Sequence, residues 1–202
     1  GLGLKIASGL VALGGGNLLM TLFFTMIASI LLGMGLPTTA KYIILSIMAA
    51  PALVQLGVLP LAAHLFILYF GVIADVTPPV AVAAYAGAGI AGGNTMKTGL
   101  NALRLAVGGF MIPYIFALDP GLLALTGSWF HTFVLILTSL AGVLALGSAA
   151  GGYLLTLTKP IERIMLIVSA ILLLTPNIVT DIPGVILLIA VLFMQNTRQK
   201  KN

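Results

Sequence analysis

The sequence predicts an all-α polytopic membrane protein, and three observations lead to that class. Of its 202 residues, 60% are hydrophobic and 6% charged, far below the roughly 25% charged residues of soluble domains. The 13 charged residues leave uncharged runs of 35 residues (6–40), 33 (42–74), 21 (76–96) and 39 (120–158). Each run reaches the roughly 20 apolar residues that one spanning helix needs. Inside the first three runs the punctuation comes from Gly and Pro, not from charge.

These observations exclude several classes. A soluble enzyme, a disordered linker and a nucleic-acid binder could not keep such runs out of water. The net charge of +5 belongs to loops, not to a basic face. With no cysteine there is no disulfide framework, thiolate metal site or cysteine nucleophile. The chain opens on Gly1-Leu2-Gly3-Leu4-Lys5 with no initiator Met and no signal-type region, so it is expected to be the C-terminal part of a longer protein.

The elements follow in order. Asn17 to Leu32 reads as a helix of 16 residues, which at 1.5 Å per residue covers about 24 Å and falls short of the roughly 30 Å hydrocarbon core. Gly33-Met34-Gly35-Leu36-Pro37 stops it, and Thr38 and Thr39 are expected to cap a second helix running to about Gln55. Two short apolar helices joined by an uncharged Gly/Pro turn suggest a re-entrant hairpin over about 17–55. The competing reading is two full spans joined by a loop.

A broken helix comes next, over about 61–91. Leu61 to Ala74 is apolar, Asp75-Val76-Thr77-Pro78-Pro79 interrupts, and Val80 to Ala91 resumes. Pro78 and Pro79 each remove a donor and free the carbonyls of Ala74 and Asp75, as Pro37 frees that of Gly33. In hydrocarbon such carbonyls persist only where protein, water or an ion satisfies them.

Asn101 to Leu118, Trp129 to about Leu157, Ile164 to Leu174 and Val185 to Met194 read as further membrane segments. Basic residues alternate with them: Lys97 and Arg104, then Lys159 and Arg163, then Arg198, Lys200 and Lys201. The intervening turns hold only Asp119 and Asp181. The positive-inside rule then places Lys97, Lys159 and the C-terminus in the cytoplasm and the Leu56 to Pro60 turn outside. Trp129, Phe130 and Tyr153 stand near span ends, as interface aromatics do.

Paired helix breaks near the midplane are how secondary transporters build sites, with half-helix N-termini facing anionic groups and unwound carbonyls facing cations. Gly33 and Gly35 allow close backbone approach, and Thr38 and Thr39 begin a helix with unpaired N–H groups and two hydroxyls. Ala74, Asp75 and Thr77 offer the oxygens that a hard cation prefers.

The strings Gly33-Met34-Gly35-Leu36-Pro37-Thr38-Thr39-Ala40 and Ala74-Asp75-Val76-Thr77-Pro78-Pro79-Val80 resemble the large membrane subunit of tripartite ATP-independent periplasmic (TRAP) transporters, most of all the type fused to the small subunit. The resemblance covers roughly residues 1–120. It implies an elevator-type transporter repeat with a re-entrant hairpin and a broken helix, here the second of two inverted repeats, with the first in an N-terminal remainder of the permease. It further implies sodium-coupled uptake of an organic acid, delivered by a periplasmic binding protein, at the inner membrane of a bacterial or archaeal cell. No enzymatic activity, cofactor or nucleic-acid partner is expected beyond sodium as coupling ion and lipid as surroundings. Carried over to this sequence, the resemblance places sodium on Gly33, Gly35, Ala74, Thr77 and Val80, and substrate on Thr38, Thr39, Asp75, Thr77 and Pro78. Asp75 departs from plainer members and brings proton coupling into view. Residues 126–202 carry no transport motif and look like extra C-terminal helices of unknown role.

Plainer readings stand beside these. Asp75, the only acid inside an expected membrane segment, is functional by default, or else a helix cap or an ion-pair partner of Lys41 or Lys97. Thr77 is either an ion ligand or the satisfier of the freed carbonyls. His64 reads as a hydrogen-bonded packing residue, and Ala86 to Gly93 as small residues for helix packing. Pro51-Ala52-Leu53 fits an element of intramembrane aspartyl proteases, but that chemistry needs two carboxylates sharing a proton. A passive channel fits the composition, though no pore-lining polar periodicity is visible.

Overall fold

Every regular element of the computed structural model is a helix among the described residues, which are 1–125 and 127–199. Thr126, Lys200 and Lys201, used above as a segment start and as terminal basic residues, lie outside them. Helix α1 is Leu2–Leu13 and α2 is Leu18–Gly33. The Asn17 side chain caps α2 by accepting from the Met20 N–H at 3.2 Å. α3 (Thr38–Met48) and α4 (Ala50–Gln55) form the second arm of the expected hairpin. α5 (Pro60–Ile73) passes into a 3-10 turn over Ala74–Val76 before α6 (Val82–Ala91). α7 (Thr95–Ala106), α8 (Ile112–Leu118), α9 (Trp129–Gly151), α10 (Pro160–Leu174) and α11 (Ile178–Gln199) complete the order.

The interrupted stretches fall where the sequence places them, but several boundaries differ. Thr38 and Thr39 do not cap α3; Pro37 holds the cap position with no side-chain bond, since its own ring presets the backbone (φ −61°, ψ 148°). The second hairpin arm bends at Ala49 (φ −118°) because Pro51 has no N–H to continue α3. The expected span 101–118 begins earlier, where the Asn94 side chain accepts from the Lys97 N–H at 2.9 Å, and it breaks after Ala106. There Gly108 and Gly109 weaken the helix, and because Pro113 cannot donate to it the Gly109 carbonyl accepts from the Ile112 N–H in a 3-10 turn instead. α9 stops at Gly151, not near Leu157, because Gly152 takes the left-handed conformation (φ +77°) that ends helices.

The expected short segment 185–194 is instead the 22-residue α11, which continues through Pro183. Asp181 therefore lies inside a helix and not in a turn, so Asp75 is not the only acid within a membrane-length segment.

Thr38–Gln55, α9 and α11 are each long and apolar enough to cross a membrane, and the bent pair Thr95–Ala106 with Gly109–Leu118 makes a fourth if it counts as one span. Leu144, Ile161, Ile171, Ile186 and Phe193 stay exposed along the helices, a surface that only lipid covers without cost. The protein is a multi-pass membrane protein.

The chain divides into two compact units, 1–103 and 104–202, a division ahead of the boundary near 120–126 expected from the motifs. In the first, α5 packs against α2, α3 and α4. Leu22, Leu45, Leu53, Phe66, Ile67 and Phe70 are fully buried there, and the Phe66 and Phe70 rings meet edge to face at 4.8 Å. Gly33 makes the contact of α2 with α5 possible: a Cβ on it would stand 2.9 Å from the Gly71 carbonyl oxygen. His64 on α5 pairs through Nδ1 with the Tyr42 hydroxyl at 3.1 Å, as a packing histidine does.

In the second unit, α9, α10 and α11 pack around Ala145, Ala149, Leu166, Ala170 and Val191. Small residues again set the spacing, since a Cβ on Gly184 would stand 2.7 Å from Leu173.

Candidate functional site

The turn after α2 is built by two residues with special backbones. Gly35 has φ +72°, which an L side chain rarely adopts, and Pro37 starts α3. The Gly33 carbonyl accepts from the Leu36 N–H at a long 3.5 Å, and the Pro37 carbonyl accepts from the Lys41 N–H at 3.0 Å. That leaves the first-turn N–H groups of α3, from Thr38 to Ala40, without partners inside the helix.

At the second break Pro78 and Pro79 cannot donate, and the chain satisfies itself locally. The Ala74 carbonyl accepts from the Thr77 N–H at 3.2 Å, and the Thr77 hydroxyl donates to the Ile73 carbonyl at 2.9 Å. The plainer reading of Thr77 thus describes its hydroxyl proton, while its oxygen keeps lone pairs. The Pro78–Pro79 peptide is cis. Ala81 follows with φ +35° and starts α6 with no side-chain cap, so the first N–H groups of α6 are a second open set.

The two breaks meet at a cleft of about 390 Å³ lined by Gly35, Leu36 and Pro37 from the turn, Asp75 from the 3-10 turn, and Val82, Ala83 and Ala86 from α6. Of the residues expected at the site, Gly35 and Asp75 line the cleft. Thr38 and Thr39 are exposed in the first turn of α3 beside it. Gly33 and Ala74 are buried behind the lining, whereas Thr77, Pro78 and Val80 are half-buried in the break. Pro78 also packs toward α7, 3.4 Å from where a Cβ on Gly99 would stand.

Sequence reading underrated one residue. Lys41, one turn into α3, is 1% exposed, and its Nζ donates to Asp75 Oδ1 at 2.6 Å, so the ion pair joins the helix after the turn to the break itself. Its stem passes α5 beside Gly71, the same glycine that receives Gly33: Lys41 Cβ lies 3.8 Å from where a Gly71 Cβ would be. The available signal was its isolation, because Lys41 is the single charge between residues 6 and 74.

The oxygens expected to hold sodium are of the chemical type that a hard cation prefers, and the Lys41–Asp75 ion pair stands at the same break.

A multi-pass fold, helical throughout its described residues, whose interrupted helices converge on a small cleft with Asp75 in its wall defines the class as a membrane transport protein. The family model of the tripartite ATP-independent periplasmic transporter, DctM component, matches residues 1–130. The chain belongs to that family, a family of secondary transporters and not of enzymes. No curated protein and no solved structure matches the chain.

Proposed function

We propose that this chain forms one of two transport repeats of a permease that takes up an organic acid, coupled to sodium, with the acid delivered by a periplasmic binding protein. The observation that carries the reading is the cleft joining Gly35–Pro37 to Asp75 and the start of α6. Two open helix N-termini border it, and such termini attract carboxylates through unpaired N–H groups and the positive end of the helix dipole. The Lys41–Asp75 pair leaves the wall near neutral, so a carboxylate entering the cleft meets donors and not net negative charge.

The rest of the reading follows from the family. The N-terminal remainder of the permease supplies the partner repeat, and an elevator-type movement carries the cleft across the bilayer. One sodium binds through oxygens of Gly33, Gly35, Ala74, Thr77 and Val80 in this repeat, and another binds through the partner repeat. The basic turns at Lys97 and Lys159, and the C-terminus, face the cytoplasm. Residues beyond the family match add membrane helices outside the transport repeat.

The test is uptake of radiolabelled organic acids by the permease carrying this segment, in proteoliposomes with its binding protein. An inward sodium gradient is compared with choline and with a proton gradient. Uptake driven by sodium is the expected outcome. Uptake driven by protons alone moves the coupling to Asp75, and uptake that needs no gradient returns the passive channel.

A further inference from the structure

We infer that the acid this permease takes up carries a hydrogen-bond donor, a hydroxyl or an amino group, besides its carboxylate, and that Asp75 selects it. The inference rests on the proposed function and names the substrate class of that same cleft.

Asp75 is the one polar side chain among the lining residues. The turn contributes Gly35, Leu36 and Pro37, and α6 contributes Val82, Ala83 and Ala86, all with apolar side chains or none. Open N–H groups at the starts of α3 and α6 can receive a carboxylate, but a side-chain hydrogen bond from this lining falls to Asp75. Its own bonding is incomplete. Among the described residues the Asp75 side chain accepts one hydrogen bond, at Oδ1 from Lys41 Nζ at 2.6 Å, whereas an ionised carboxylate can accept about four. Lys41 is 1% exposed and so reaches the pair from the buried side of the wall, while the Asp75 side chain is 36% exposed. What stays accessible is an acceptor with Oδ2 unused.

A ligand that fills the cleft strips water from that acceptor. A plain carboxylic acid has no donor to put in its place, and its own negative charge would stand before an unmatched carboxylate oxygen. An O–H or N–H group on the ligand restores the bond. A site with such an acceptor discriminates against an analogue that lacks the donor far more strongly than an apolar wall discriminates by size. The apolar remainder of the lining offers the donor no second partner among its side chains, so the selection rests on one residue.

The test is protection of a cysteine placed in the cleft of the permease carrying this segment. Leu36 lines the cleft, is 36% exposed and lies in a chain without cysteine, so labelling of L36C by a small maleimide reports occupancy there. The permease with Leu36 intact gives the background. Labelling is measured in sodium chloride, without binding protein, against two sets of acids of matched length: propionate, lactate and alanine, then succinate, malate and aspartate. Within at least one set, a donor-bearing acid is expected to half-protect at about 10–100-fold lower concentration than the plain acid, as a hydrogen bond to a charged group allows. The hydroxy and amino arms show which donor the cleft takes. K41M/D75N, added to L36C, removes both charges together and is expected to abolish the preference. Equal protection within both sets overturns the inference, as does protection by none of the acids or a preference that survives K41M/D75N. If K41M/D75N does not fold, the comparison in the L36C protein decides alone. The labelling needs no transport, so sodium-driven uptake without any preference in labelling would sink this inference and leave the proposed function standing.

Discussion

Each compact unit contains an ion pair with one nearly fully buried partner, and the two pairs are finished in opposite ways. In residues 104–202 the buried Glu162 is saturated. Its Oε2 accepts from the Lys159 N–H at 3.0 Å and from Gln195 Nε2 at 2.8 Å, while Oε1 accepts from Arg198 Nη1 at 2.8 Å. Gln195 Oε1 in turn accepts from the Leu155 and Thr156 N–H groups, and Arg198 also donates to the Leu157 carbonyl. α11 is thereby fastened to the loop between α9 and α10. In residues 1–103 the pair is left open: Lys41 has one carboxylate, and the Asp75 side chain remains 36% exposed at the cleft. A closed network fixes a geometry, whereas an open pair at a helix break keeps polar capacity facing a ligand.

The largest expected effect comes from breaking the closed network. Glu162→Ala leaves Arg198 and Gln195 without their acceptor and should cost about 3–5 kcal/mol, seen as a lower unfolding temperature of the purified permease in detergent. Uptake per folded molecule should stay near the original value. Loss of uptake at unchanged stability would give the network a role in transport and erase the contrast between the units.

Gly33→Ala tests the other side. Its methyl would stand 2.9 Å from the Gly71 carbonyl oxygen, so α2 must move off α5 at about 1–3 kcal/mol. The loss should appear in uptake more than in unfolding temperature, because the displaced segment carries the turn. Unaltered uptake would show that the turn does not depend on the Gly33–Gly71 contact.

Thr77→Val is the smallest change. It removes one hydrogen bond to the Ile73 carbonyl, about 1 kcal/mol, and the sodium concentration needed for half-maximal uptake is expected to rise. An unmoved concentration would remove Thr77 from the ion site.

What the sequence disclosed divides along the same line. The stop after Gly33 and the break at Pro78–Pro79 were legible because each is enforced by one or two residues on their immediate neighbours. The length of α11 was hidden by Pro183, which punctuates a sequence even where the helix continues through it. The fastening of Glu162 to Arg198, 36 positions away, has no local signature. Lys41 was noticed only as a plain partner for Asp75. Its burial, which gives the pair its meaning, depends on how α3 meets α5, and no period or motif reports that.

Ala81 carries a last consequence. It is the second residue after the prolines, fully buried, and held at φ +35° where an alanine methyl crowds its own backbone at roughly 1–2 kcal/mol. Glycine would sit there without strain, so the chain keeps a small load at the hinge from which α6 departs. Val82 and Ala83, the next two residues, line the cleft. The floor of the cleft is therefore hung from a strained joint.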